Sequence, residues 1–152
     1  MADLGSITLL LSLALAVYAA LGSLVGQWKR APDLVISARY AAYLTPLMLA
    51  ISTSVLVAAF VTHNFELRYV AGHSNLAMDP WLTWVAFYAG NEGSMLFLSL
   101  IFAAVSGLAI WRAPYEVRPA LPYTTFVLMS ITVFFVAVMM TMANPFFELP
   151  VA

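Results

Sequence analysis

The sequence predicts an all-α, polytopic membrane protein with four transmembrane helices. Three observations lead there. Hydrophobic residues fill 64% of the 152 positions and charged residues 9%, with a mean hydropathy of +0.96; a soluble globule of that composition would have no polar surface to present to water. Four uncharged stretches each reach the ~20 residues a helix needs to cross ~30 Å of hydrocarbon. No stretch alternates polar and apolar residues as a barrel strand does, so backbone groups that lipid leaves unsatisfied must be paired within helices.

The first stretch covers residues 4–28, and the only charge ahead of it is Asp3. A secretory leader begins with positive charge and has a shorter apolar run, so this segment reads as a spanning helix. The second, 40–62, contains Pro46, which removes one backbone hydrogen bond and predicts a kink unless a neighbour such as the Thr45 hydroxyl compensates. The third and fourth cover 93–111 and 119–144. Ser12, Ala16 and Ala20 recur at every fourth position in the first helix, as do Ser99, Ala103 and Gly107 in the third. Small residues at that spacing let helix backbones approach closely, so both stripes are expected at helix contacts.

Residues 64–91 form the long connection between the second and third helices. Asp79 followed by Pro80 is an N-cap and first-turn pair, predicting a short helix from Pro80 to about Ala89 with Trp81, Trp84, Val85 and Tyr88 on one side. Its other side, Leu82, Ala86 and Phe87, is hardly more polar, so this helix is expected to lie in the membrane interface. Asn91 is expected to cap the third helix, with Glu92 at its positive end. Around them, Tyr69, Ser74 and Asn75 are expected to hold a non-helical segment through side-chain to backbone bonds.

Lys29, Arg30, Arg39, Arg112 and Arg118 flank the first and third connections, whereas the second holds Arg68 beside Glu66, Asp79 and Glu92. The positive-inside rule then puts the short connections in the cytoplasm, and both termini with 64–91 on the outer face. Trp28, Tyr40, Tyr43, Trp111 and Tyr123 suit an inner aromatic belt, and Trp81, Trp84 and Tyr88 an outer one. A net charge of −1 gives no basic face for nucleic acid. Zero cysteines exclude disulfides, thiolate metal sites and a thiol relay within the chain. No P-loop, nucleophile elbow, HExxH motif or internal repeat is present.

The order of "NFELRYVAGHSN" (64–75), "NEGS" (91–94) and "ANPFFELP" (143–150) resembles the opening part of the CcmF family, the haem lyases of system I cytochrome c maturation. The corresponding family stretches read close to "DF…YVA.HSN", "WG.HEGS" and "SNPF…LP". Phe65, Tyr69, Val70, Ala71, Ser74, Asn75, Glu92, Gly93, Ser94, Asn144, Pro145 and Phe146 are shared. The resemblance implies a bacterial inner (plasma) membrane protein, with a split mitochondrial version as the alternative. It also implies haem transport and binding: attachment of haem vinyl groups to the CxxCH cysteines of apocytochrome c. The tryptophan-rich WxWDPVE segment and the haem-ligating histidines of that family lie beyond the matching residues. Haem is therefore implied as cofactor with its ligands on a partner chain, either the product of a split gene or the rest of a lyase that this truncated relative helps assemble. Tyr88 stands for the family's Trp, Asn91 for its His and Asn64 for a common Asp, so no imidazole is available before "EGS".

The haem- or partner-facing residues of the outer loop are accordingly Tyr69, His73, Ser74, Asn75, Glu92 and Ser94; no catalytic residue and no metal site is assigned. His63 at a helix end and His73 in the loop are the available imidazoles, and His73 reads as a hydrogen-bonding or partner-facing residue before it reads as a haem ligand. Glu92 could pair with Arg68 as a helix-start residue, or order the loop around haem. Met139, Met140 and Met142 could offer thioethers to a metal, but methionine in a membrane helix more often fills gaps. Two other functions stay open: a non-catalytic scaffold or assembly subunit of a respiratory or maturation complex, and a small-molecule transporter. The latter ranks last because no spanning run holds a charge.

Overall fold

The computed structural model describes residues 2–150; residues 1, 151 and 152 of the single transmembrane domain expected over 1–152 lie outside the described residues. The elements are α1 (Ala2–Trp28), α2 (Pro32–Val61), α3 (Arg68–His73), α4 (Pro80–Ala89), α5 (Asn91–Trp111), a 3-10 turn (Tyr115–Ala120) and α6 (Leu121–Met142). α1, α2, α5 and the continuous stretch Tyr115–Met142 are long and apolar enough to cross a membrane. α1 packs on α2 and α6, and α5 packs on the same two, closing a ring in the order α1, α2, α5, α6.

The short connections set the ring's geometry. α1 ends in a three-residue turn in which Arg30 takes a positive φ of 52° and the Ala31 amide donates to the Gly26 carbonyl at 2.9 Å. Pro32, whose fixed φ suits a first helical position, then starts α2. This is eight residues before the start expected at residue 40. Asp33 and Arg39 interrupt the apolar run but not the helix, because charge affects the cost of lipid immersion and leaves helical backbone geometry untouched. α5 begins at Asn91 and not at 93, and α6 spans Leu121–Met142 where 119–144 was expected.

Both small-residue stripes face the interior: Ser12, Ala16, Ala20, Ser99, Ala103 and Gly107 are all buried. A Cβ added at Gly22 would lie 3.0 Å from the Ala38 Cβ, and one at Gly26 would lie 2.8 Å from Val35. Where lipid removes the hydrophobic drive between helices, such close approach supplies packing energy through dispersion. Interior hydroxyls bond back to their own helices, as Thr125 does to Leu121 and Thr132 to Leu128. Ser52 crosses instead, donating to the Gly5 carbonyl at 3.3 Å and tying α2 to α1.

At Pro46 the Thr45 hydroxyl, named as one group that could compensate for the missing bond, does not do so. The freed carbonyl is that of Ala42, whereas the Thr45 hydroxyl donates to Ala41 at 2.9 Å. Gly107 of α5 lies against this point, so that an added Cβ would stand 3.9 Å from the Ala42 oxygen.

α4 covers the residues expected of it. Trp81, Trp84, Val85 and Tyr88 are exposed, while Thr83, Ala86 and Phe87 are buried against the end of the bundle. Residues 68–73, expected to be non-helical, form the helix α3, while 74–79 are non-helical; of the side-chain to backbone bonds expected there, that of Ser74 closes the end of α3, that of Tyr69 crosses to α4 and that of Asn75 forms a local turn.

Candidate functional site

Three segments distant in sequence meet at the end of the ring where α2 finishes and α5 begins. α2 is terminated by His63, which adopts a positive φ of 51° and lets the Asn64 amide donate to the Ala59 carbonyl at 2.9 Å. The Asn64 side-chain oxygen then accepts from the Glu66 amide. At the far end of the chain, the Asn144 side-chain oxygen accepts from the Phe146 amide at 3.0 Å. These matching asparagine turns set two short extended pieces side by side in an antiparallel bridge between Leu67 and Glu148. The Arg68 amide donates to Phe147 at 2.9 Å and the Leu149 amide to Glu66 at 3.0 Å. Phe146 is buried with its ring against Gly5 of α1, where an added Cβ would collide with it.

The bridge launches α3, and Tyr69 fixes it in place. Its hydroxyl donates to the Phe87 carbonyl of α4 at 2.8 Å, and its ring packs edge-on against Phe60 at 5.3 Å. Two glycines make room for this. A Cβ at Gly90 would strike the Tyr69 ring; one at Gly93 would strike the Phe87 carbonyl oxygen and come within 2.7 Å of the Tyr69 hydroxyl. The same crowding explains why Asn91 is not the cap of α5. A single non-helical residue separates α4 from α5; it is Gly90, because only hydrogen fits beneath the tyrosine ring, and Asn91 already belongs to the helix. Burial pushes the Tyr69 hydroxyl pKa up from 10.0 and the Glu92 carboxylate adds to that, while hydrogen bonding to the backbone of Gly93 and Gly90 opposes it.

Together these elements enclose a partly open cavity of about 590 Å³, lined by Arg68, Tyr69, His73, Glu92, Met142, Asn144 and Phe147 among others. That volume falls within the ~300–1,000 Å³ of small-molecule sites. Of the six outer-loop residues chosen from sequence, Tyr69, His73 and Glu92 line the cavity. His73 has its Nδ1 3.1 Å from the Tyr69 carbonyl and its ring 4.6 Å from that of Tyr69. The other three are engaged locally. The Ser74 hydroxyl donates to Val70, the Asn75 side-chain oxygen accepts from the Ala77 amide, and the Ser94 hydroxyl donates to Asn91.

Glu92 and Arg68 share the cavity, yet the ion pair expected between them is not formed among the described residues. The methionines separate by burial: Met139 is wholly buried in the core, Met140 packs partly against it, and Met142 is 85% exposed and borders the cavity. Gly90 is not singled out from sequence; Arg68 is named there as a possible partner of Glu92, Gly93 and Asn144 as shared motif residues and Met142 as a possible thioether donor, but none of these is assigned to the outer-loop site.

Among the described residues no group of three or more His, Cys, Asp or Glu is arranged to hold a metal ion. Haem requires axial donors within largely apolar walls. The cavity has one imidazole, an exposed thioether and walls that include Arg68, Glu92 and Asn144.

No protein-family model matches the sequence. Among individual proteins, the chain is 34% identical over 113 residues to the cytochrome c-type biogenesis protein NrfE of Haemophilus influenzae, a match covering 74% of this chain and 17% of that protein. It is 35% identical over 99 residues to CcmF of Pseudomonas aeruginosa, covering 65% and 15%. To CcmF of Escherichia coli it is 30% identical over 149 residues, covering 96% and 23%. In fold it is similar to the solved cytochrome c haem lyase CcmF with a TM-score of 0.89 at 29% identity, covering 99% of this chain and 25% of that one. In sequence and in fold, then, this all-helical membrane chain is similar to the CcmF and NrfE cytochrome c-type biogenesis proteins, spanning no more than about a quarter of their length.

Proposed function

We propose that the chain is the N-terminal membrane component of a CcmF-like haem lyase, helping to attach haem to apocytochrome c together with a second polypeptide that carries the tryptophan-rich haem-handling segment. The observation behind this reading is the convergence of 64–75, 90–94 and 143–149 on one cavity, within a fold that matches part of a haem lyase. Residues 1–152 act as one transmembrane domain. Haem supplies the vinyl groups, and the partner supplies the iron ligands; this chain supplies the surface on which haem or apocytochrome is received. Glu92 orders that surface, with Tyr69, His73, Ser74, Asn75 and Ser94 around it.

The protein resides in a bacterial inner membrane with both termini extracytoplasmic. α4 lies in the outer interface with Trp81, Trp84 and Tyr88 at headgroup depth. Because the chain has no cysteine, single cysteines at Lys29 and Gly72 can report orientation. Gly72 has no heavy atom within 4 Å of an added Cβ. A membrane-impermeant thiol reagent should modify Gly72→Cys in intact cells and leave Lys29→Cys unmodified; the reverse pattern would remove the cavity from the outer face.

Function is tested by Glu92→Ala and Asn75→Ala in cells that depend on this chain, reading cytochrome c by haem staining and membrane assembly by blotting. Lost haem attachment with intact assembly is expected, along with co-purification of the polypeptide bearing the tryptophan-rich segment. The local engagement of Ser74, Asn75 and Ser94 by their own backbone favours a scaffold as the second reading, in which both variants would leave cytochrome yield unchanged.

A further inference from the structure

Away from the outer-end cavity, a groove of about 520 Å³ opens on the outward side of the α1–α2 hairpin. Leu15, Ile36 and Leu44 give it apolar walls, and Tyr18, Ser37 and Asp33 line it as well. The Tyr18 and Ser37 hydroxyls lie 2.6 Å apart in a hydrogen bond between the two helices, and both residues are exposed. Other exposed serine and threonine hydroxyls fold back onto their own helix, as Ser54 does to Ala50 and Thr141 to Ala137. Ser37 faces Tyr18 instead. Two hydroxyls carry two hydrogens and their mutual bond uses one, so the other has no acceptor among the described residues. In a lipid-facing position an unmet donor is costly.

The depth of that donor suggests what meets it. Ser37 lies five residues beyond the start of α2 at Pro32, or ~8 Å along the helix axis. The headgroup region is roughly 5–8 Å thick on each side of the hydrocarbon, so with Pro32 taken at its outer edge the hydroxyl pair would stand near the level of a phospholipid's ester carbonyls. Asp33, exposed in the first turn of α2, stands above it at headgroup height. A carboxylate there selects for a cation that can donate hydrogen bonds.

We propose that this groove binds one amine-bearing phospholipid. Its ammonium meets Asp33, an ester carbonyl accepts the spare hydrogen of the Tyr18–Ser37 pair, and an acyl chain lies along Leu15, Ile36 and Leu44. This site does not depend on the role in haem attachment.

The test is native mass spectrometry of the purified, delipidated chain titrated separately with dioleoyl phosphatidylethanolamine, its N-methyl and N,N-dimethyl derivatives, phosphatidylcholine and phosphatidylglycerol. Affinity should fall stepwise with methylation, by about tenfold across the series, the worth of one charge-assisted hydrogen bond. Asp33→Asn should flatten that gradient. The double variant Tyr18→Phe, Ser37→Ala should weaken every headgroup alike, by roughly threefold to tenfold, and keep the gradient. Equal binding across the methylation series of the unaltered chain, tightest binding of phosphatidylglycerol, or a gradient that survives Asp33→Asn at unchanged helix content would overturn the proposal. The methylation series alone decides the matter if Asp33→Asn does not fold. Disulfide-linked dimers of Leu44→Cys in nanodiscs rich in phosphatidylethanolamine would show a second copy in the groove and overturn it equally.

Discussion

Gly93→Ala probes the outer end of the ring most directly. The new Cβ would overlap the Phe87 carbonyl oxygen and press within 2.7 Å of the Tyr69 hydroxyl. The first obstacle is backbone, so no rotamer change relieves it, and α4 or α5 must shift. Overpacking of this kind costs ~1–3 kcal/mol. The shift also breaks the 2.8 Å bond from Tyr69 to Phe87, worth ~0.5–1.5 kcal/mol net. Roughly 2–4 kcal/mol is therefore the expected loss when the two are combined. The assay is reversible unfolding in detergent micelles, followed by helical circular dichroism, for Gly93→Ala, Tyr69→Phe and the double variant. Tyr69→Phe alone should cost ~0.5–1.5 kcal/mol. If both substitutions act through the same bond, the double variant should be less destabilised than the sum of the singles, by about the value of that bond. Strict additivity, or a Gly93→Ala chain within ~0.5 kcal/mol of the unaltered one, would refute the account of why glycine stands at 93.

Three further outcomes follow from the same geometry. His63 holds a positive φ of 51° with its Nδ1 buried and unpartnered among the described residues, so His63→Gly should stabilise the end of α2 by about 1 kcal/mol in the same unfolding assay. Phe146→Ala should leave a void against Gly5 and cost about 3 kcal/mol, and limited proteolysis should then cut within 144–150 sooner than in the unaltered chain. Because the pKa of Tyr69 is raised in the folded state, the folded chain keeps its proton at pH values where the unfolded chain has begun to lose it. The associated stability is present below pH ~10 and declines as pH rises through the folded-state value; Tyr69→Phe should remove that alkaline decline, as a stability–pH profile would show.

Much of the architecture is legible in the sequence, since lipid thickness and backbone hydrogen bonding leave an uncharged run of some twenty residues little choice but a helix. The four spans, the interior stripes through Ala16 and Ala103, and the short helix after Asp79 follow from that constraint and from local start signals. What hydropathy missed is where charge and helix part company: α2 continues past Arg39 and Asp33 to Pro32. The site is less legible. Tyr69, His73 and Glu92 could be selected because they are polar groups in a short motif set, but Arg68, Met142 and Asn144 join them only because the chain after α6 pairs with the chain after α2.

The sequence alone thus determined the four spanning helices and the short helix after Asp79, but not α3, because those five depend on residues adjacent along the chain and on the thickness of the bilayer. Only the tertiary structure decided the ring order α1, α2, α5, α6, the bridge between Leu67 and Glu148, and the requirement for glycine at 90 and 93. Those features arise from the volume that one side chain, such as the Tyr69 ring, denies to residues far from it in sequence, and a one-dimensional pattern does not encode that exclusion.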